Sequence, residues 1–453
     1  MNNTFLLSSE TAKNLYEFAK NLPIIDYHNH LSVNDICEDT RYFDVYKLWV
    51  MPDPYKHRAM RMCGVPEKYI TGDATDREKF KKWCKVFPDL LGNPLYVWSK
   101  MELETIFNIS EMPNGENADK IYDMCNEYLK NNEVTPKSIL KKFNAEFICP
   151  CMSLTDGVEV FEKDLNVSPS LRGDDVVNPT IEFVKKLENI TNIKINDLRD
   201  FEKAILKRLE VFAKCGCVFS DHALDNGFEF YSDDGKNNER FSAKLSGKAV
   251  EEEKLSSYIL EFLGNCYAKY GFVMQLHIGA ERYTSSVLRE KVGAQGGFAG
   301  IGNSVDVKTL VKFLDTLDKK KERLPKTVLF TLNPADNALI SVLSGSYSKD
   351  GVKGLISQGP AWWWCDHEQG IKEMLANNAV YGLLSNFVGM TTDSRSFLSF
   401  VRHDYFRRTL CDFLGEKFEK NELLCTYEEL SNIVYKMCYE NAKNLTGGNK
   451  NGF

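Results

Sequence analysis

Pro23-Ile24-Ile25-Asp26-Tyr27-His28-Asn29-His30 reads as a short buried strand that ends in two histidines. Residues two apart in an extended segment face the same side, so both imidazoles can be presented together just past the apolar run. Two histidines flanking one polar residue suit a transition metal, with two solvated loop histidines as the plainer alternative. Only seven histidines occur in 453 residues, and two of them stand here.

Working outward from this stretch, β-type runs bounded by turn or polar residues recur at 146–149, 165–168, 217–220, 272–277, 327–331, 354–358 and 387–392. Amphipathic segments separate most of them, as at 200–214, 252–270 and 305–319. Counting the opening run, eight strands alternating with helices predict a parallel sheet closed into a (β/α)8 barrel, with an open doubly wound sheet as the alternative. No G-x-G-x-x-G follows an early strand, so no nucleotide cofactor is expected. Residues 31–142 are rich in Tyr, Trp, Met, Lys and Glu at helical spacing, and read as a large helical insertion after strand one. It is expected to sit over the C-terminal face of a single 1–453 barrel domain. Residues 416–444 read as closing helices, and 447–453 are expected to fray.

The chain is 43% hydrophobic and 27% charged, ordinary for a globular enzyme with a large core. A net charge of −7 argues against non-specific nucleic-acid binding, which needs a basic footprint. A small anionic substrate is still compatible with it, because local arginines hold a carboxylate whatever the sum. Thirteen cysteines are scattered along the chain; the closest pairs, Cys149/Cys151 and Cys215/Cys217, are spaced C-x-C, and no C-x2-C…C-x2-C pattern appears. Free thiols in a reducing compartment are therefore expected. The first 20 residues are polar and helical in pattern, unlike a signal peptide. No apolar run approaches the roughly 20 residues of a membrane span. The expectation is a cytoplasmic protein with no membrane partner.

Chemistry-bearing residues gather at the strand ends. Asp393 and Arg395 follow the eighth run, which neighbours the first when a barrel closes. Asp393 can complete a site of two histidines and one carboxylate, although an aspartate ending an apolar run is often a helix N-cap. Arg395 shares its direction if the chain stays extended. Asp221 and His222 end the fourth run, His277 the fifth, and Asn333 with Asp336 the sixth. Each is either pocket lining or a satisfied core or loop residue.

Several longer stretches are specific. They include PIIDYHNHLS (23–32), YKHRAMR (55–61), GNPLYVWSKMEL (92–103), VFSDHAL (218–224), MQLHIGA (274–280), AWWW (361–364), FVGMTTDSRSFLS (387–399) and RHDYFRRTLC (402–411). On these the sequence resembles the uronate isomerase family of the amidohydrolase superfamily over nearly its full length. The resemblance implies a distorted barrel, one divalent metal (zinc or a similar ion), and glucuronate or galacturonate as substrate. It implies that His28, His30 and Asp393 hold the metal with Arg395 beside it, that Tyr55 carries a proton, and that Arg172 and Arg282 meet the sugar acid. His222 and His277 are expected to line the substrate pocket, and the chain to form a homo-oligomer.

Two stretches depart from the family pattern. Its usual threonine–aspartate–aspartate–proline run after strand two is here Pro150-Cys151-Met152-Ser153-Leu154, and the asparagine run after Arg282 is Tyr283-Thr284-Ser285. Moving a carbonyl from C1 to C2 requires removing a carbon-bound proton and stabilising an enediolate, work suited to a carboxylate or phenol, a guanidinium and a metal. The rival reading is a metal-dependent hydrolase of the same superfamily. Its binuclear members need a lysine after strand four, absent from 217–224, and its deaminase-like members a histidine after strand six, absent from 327–333.

Overall fold

The computed structural model describes residues 4–161, 166–293 and 296–447. Seven parallel strands form one sheet: β1 (Ile24–Asn29), β2 (Ala145–Ser153), β3 (Ser170–Arg172), β4 (Phe219–Leu224), β5 (Val273–Ile278), β8 (Thr327–Thr331) and β9 (Ile356–Gln358). A small antiparallel pair, β6 (Ala280–Glu281) with β7 (Gly300–Ile301), stands apart from it. Helices such as Leu198–Lys214, Glu252–Tyr270 and Val307–Asp318 intervene between parallel neighbours, as parallel connections require. The architecture is a distorted (β/α)8 barrel.

Its interior is a compact cluster of Ile25, Tyr27, Phe147, Cys149, Phe219, Val273, Val328, Phe330 and Val388. These are alternate residues of successive strands, the inward-pointing set of a barrel. A second, larger core fills the space between sheet and helices and the inside of the insertion.

Two expected strands differ in the structure. The third, expected at 165–168, pairs with β2 only through a single bridge from Val167 to Ile148, and Leu165 lies outside the described residues. Pro169 has no N–H to continue the ladder, and regular pairing resumes at Ser170, opposite Cys151. The eighth, 387–392, forms no regular ladder. Gly389 has φ +83°, and a Cβ there would lie 2.5 Å from the carbonyl oxygen of Met437, so the chain bends where a pleat is needed.

Side chains and single amides close the barrel instead. The amide of Asp393 donates to the carbonyl of His28 (3.0 Å), and that of His30 to the carbonyl of Ser394 (2.8 Å). The Thr391 hydroxyl accepts from the His28 amide (2.9 Å). Buried Asp26 takes the Thr391 and Thr392 hydroxyls and the Thr392 amide at 2.6–2.8 Å. Burial alone would raise the Asp26 carboxyl; His403 and these donors hold it below its ordinary value.

Between β1 and β2 the chain forms an all-helical insertion, including Pro54–Met62, Asp76–Val86, Pro94–Phe107 and Ala118–Asn131. The first of these starts where a helix start is encoded: Asp53 accepts from the amides of Tyr55 and Lys56, and Pro54 occupies the first turn. Beyond β9 the helices Val401–Glu419 and Tyr427–Tyr435 pack against the N-terminal helix Glu10–Ala19. The frayed tail expected after Gly447 lies outside the described residues. No helix among the described residues is long and apolar enough to cross a membrane.

Candidate active site

The two histidines of β1 reach the barrel mouth through an irregularity that their spacing alone does not show. Asp26 pairs with Ile148 but Asn29 with Pro150, so β1 carries one more residue than β2 over this step. Such a bulge resets the alternation of side chains. Tyr27 points inward, stacking on Phe219 at 5.8 Å, and so does the very next residue, His28, whose ring lies 4.4 Å from that of His277. His30 then follows on the same side, 5.3 Å from His28.

Asp393 meets both. Its Oδ1 lies 3.1 Å from Nε2 of His28 and 3.1 Å from Nε2 of His30. Its Oδ2 accepts from the indole N–H groups of Trp362 (2.7 Å) and Trp363 (2.6 Å). Burial alone would raise this carboxyl, but the hydrogen bonds and charge of His28 and His30 hold it well below its ordinary value. Asp393 (φ +47°) and Trp363 (φ +46°) both hold the left-handed conformation that side-chain-bearing residues rarely adopt. Such strain costs roughly 1–3 kcal/mol per residue and persists where the surroundings over-determine it, often at functional sites.

Oδ1 of Asp393 thus stands 3.1 Å from one nitrogen of each imidazole, near the roughly 3.3 Å between two ligands of a tetrahedral ion. With Oδ2 occupied by two indoles, Oδ1 is the oxygen left for an ion. Two sets of three donors have all their atoms close enough together to share one: His28, His30 and Cys151, and His28, Asp221 and His277.

Around this centre the structure brings together most of the expected residues. Arg172 is bound by Asp221 (2.9 Å) and Asp174 (2.8 Å), and lies 3.5 Å from Nε2 of His30. Burial pulls the His30 pKa down to about 4, a trend reinforced by Arg395 and Arg172 and opposed by Asp393. Nδ1 of His277 lies 2.6 Å from Oδ1 of Asp221, and its Nε2 is buried without a partner among the described residues. Tyr55, Arg282, Trp363, Trp364, Asp393 and Arg395 line one pocket. Arg282 is tied to Asp225 (2.7 Å) and lies over the Trp363 ring. Arg395 reaches this pocket although Asp393 interrupts the extended chain, and among the described residues nothing takes its guanidinium in a hydrogen bond. Burial raises the Tyr55 phenol, against the opposing charge of Arg402.

One expectation fails geometrically. His222 does not line the mouth: its Nε2 meets the Tyr267 hydroxyl at 2.8 Å, on the helix behind β4. Strand β4 runs through 221–222 instead of ending there, so Asp221 faces the interior and its neighbour must face out.

Other residues emerge only in three dimensions. Trp362 and Trp363 lie in the AWWW stretch, but nothing in it says that two indoles share one carboxylate oxygen. Arg402 donates to Asp366 (2.9 Å) and to the carbonyl of Thr392, and lies over the Tyr55 ring at 5.9 Å. Asp366, buried beside it, is pushed up to about 6 by desolvation, with Arg402 opposing.

The model of the glucuronate isomerase family matches residues 1–446. A uronate isomerase of Bacillus licheniformis is 41% identical over 457 residues, covering 98% of this chain and 96% of its own. A crystal structure of a uronate isomerase from Thermotoga maritima superposes with a TM-score of 0.92 at 30% identity, covering 98% of this chain and 99% of that one. A glucuronate isomerase from Caulobacter crescentus shares the fold, with a TM-score of 0.91 at 21% identity over 100% of this chain and 98% of that one. With the family's model matching residues 1–446 and relatives this similar at full length, the chain belongs to the glucuronate isomerase family.

Proposed function

We propose that this enzyme interconverts an aldose sugar acid and its ketose, taking D-glucuronate to D-fructuronate, D-galacturonate to D-tagaturonate, or both. One observation carries the reading. Asp393, shared by two imidazoles and two indoles, opens onto a pocket that also holds Tyr55 and Arg395, whose guanidinium no hydrogen bond engages among the described residues. His28, His30 and Asp393 would hold a divalent metal, zinc by preference for two imidazoles and a carboxylate. When bound, that ion supplies positive charge for the oxyanion that develops during enolisation.

The remaining work falls to the chain's own side chains. Arg395, planar and free to bind two oxygens, holds the substrate or the developing oxyanion. Arg172 and Arg282, each already paired with aspartate, set the charge of the walls and contribute their remaining N–H groups to the sugar acid. The Asp393 carboxylate, or Tyr55 as its phenolate, takes the proton from C2 and returns it to C1, while the O2 proton passes to O1. His277, with one nitrogen on Asp221 and the other unpartnered, is placed to bond a hydroxyl. The Trp362–Trp364 run excludes water.

We further infer one domain over 1–453, whose insertion 31–142 covers the C-terminal face; Asp53, Pro54 and Tyr55 on the pocket wall support this. All thirteen cysteines are free, two of them exposed, which suits the reducing cytoplasm. Exposed Val380, Tyr381 and Leu383 support assembly into a homo-oligomer.

The test is incubation of the metal-loaded protein with each uronate in heavy water, followed by NMR. Ketose carrying solvent deuterium at C1 is expected. No ketose from either substrate refutes the reading, and ketose retaining all of the substrate's own label over many turnovers refutes the exchangeable proton carrier.

A further inference from the structure

Cys151 stands in the stretch where the family pattern has threonine and aspartate, and the structure puts it against His28. Its neighbours on β2 explain its direction. Phe147 and Cys149 point into the barrel, so Cys151, two residues on, continues the inward-facing row to the mouth. Its Sγ lies 3.5 Å from Nδ1 of His28. One donor atom each from His28, His30 and Cys151 all lie within 4.8 Å of one another.

These are separations of atoms that can share an ion. Bonds of about 2.3 Å to sulfur and 2.0–2.1 Å to nitrogen at a tetrahedral angle place the two donors about 3.5 Å apart. The other nitrogen of His28 meets Asp393 at 3.1 Å, the arrangement in which a ligating imidazole gives its remaining N–H to a carboxylate. We propose that Cys151, in place of Asp393, supplies the thiolate third ligand to the metal held by His28 and His30, the ion lying on the Nδ1 side of His28, so that Asp393 stays off the ion and acts on the substrate's proton.

On binding, the Sγ–H bond gives its proton to solvent, an Sγ–metal bond forms, and no oxidation state changes. The inference rests on the reading that the two histidines of β1 hold a metal. It adds a soft donor to a set that otherwise offers only nitrogen and oxygen.

Cobalt(II) alone, added to the metal-stripped full chain, is the probe. The expected result is a near-ultraviolet sulfur-to-cobalt charge-transfer band in the wild type. Cys151→Ser should lose this band, keep the visible ligand-field bands, release one proton fewer on loading, and bind zinc at least tenfold more weakly. Cys151→Ala gives the same readouts if the serine variant folds poorly. Cobalt bound without the band, or a band that survives both substitutions, overturns the thiolate ligand and leaves the histidine site standing. Failure to bind cobalt at all overturns the metal reading itself, and this inference with it.

Discussion

Lys56 offers a severe test of how the insertion holds Tyr55 in place. Its ammonium is buried, 1% exposed, and meets Asp53 at 2.8 Å, Glu102 at 3.2 Å and the carbonyl of Trp49 at 3.1 Å. Asp53 in turn caps the helix on which Tyr55 is the second residue. Lys56→Met keeps most of the side-chain volume and removes the charge, leaving two carboxylates buried against each other. Even with Lys56 present, burial raises the Glu102 carboxyl.

Removing one partner of a buried pair costs about 3–5 kcal/mol. Near 2.1 cal/mol/K per residue of unfolding entropy, a 453-residue chain should lose about 3–5 °C in Tm. The deficit is capped by the cost of protonating the stranded groups. For a carboxyl of ordinary value near 4 that cost is about 5 kcal/mol at pH 8 but only about 1.4 kcal/mol at pH 5. The wild type minus mutant difference, measured by urea titration, should therefore shrink by at least half between pH 8 and pH 5. A difference that stays constant with pH would refute the electrostatic account and assign the loss to packing.

Four further outcomes are expected. Arg395→Lys should lower kcat/KM about 100-fold or more with metal content unchanged, because an ammonium cannot reproduce a planar two-point contact; near wild-type kinetics would make Arg395 structural. His30→Ala should lose bound metal and activity together, checked by elemental analysis, and full stoichiometry would reject the site. Trp363→Phe removes one of two donors to Asp393 Oδ2, a charge-assisted bond worth about 1.5–3 kcal/mol, so kcat should fall at least tenfold while the fold survives by circular dichroism. His57 is held neutral, its pKa drawn down to about 4 by burial. The unfolded chain takes up its proton near 6.5, so the stability His57 contributes is present above pH 6.5 and drains away as pH falls toward 4. His57→Gln should flatten that part of the urea-midpoint against pH curve, and an unchanged curve would show that His57 does not titrate on unfolding.

The local patterns that survive folding are those that depend on near neighbours. The run at 327–331 and the helix at 252–270 have the same bounds in the structure as in the sequence, because apolar periodicity fixes them directly. The pairing of 28 with 30 was legible for the same reason. The bulge that turns His28 inward was not, since it exists only relative to β2. The interruption at Pro169 and the bend at Gly389 were visible as residues, but their effect depends on which strand lies alongside. His222 was misplaced because β4 runs past Asp221, and one residue of extra strand reverses a side chain. The hold on Asp393 by two indoles joins residues about 30 positions apart, and Arg402 reaches Asp366 and the Thr392 carbonyl from the closing helix. Such convergence has no local periodicity to betray it.

The closure of the barrel has a mechanical consequence. The eighth run meets β1 through a handful of amides, two threonine hydroxyls and one buried aspartate, where β1 to β5, β8 and β9 are joined to one another by ladders. His28 and His30 lie on one lip and Asp393 on the other. An ion shared among them would be a rivet as well as a catalyst: at a thousandfold excess over its Kd it would add about 4 kcal/mol to the folded state, applied across a seam that no ladder holds. Stripping such an ion would turn a hoop into a split ring, free to spring open at the place where the proposed reaction occurs.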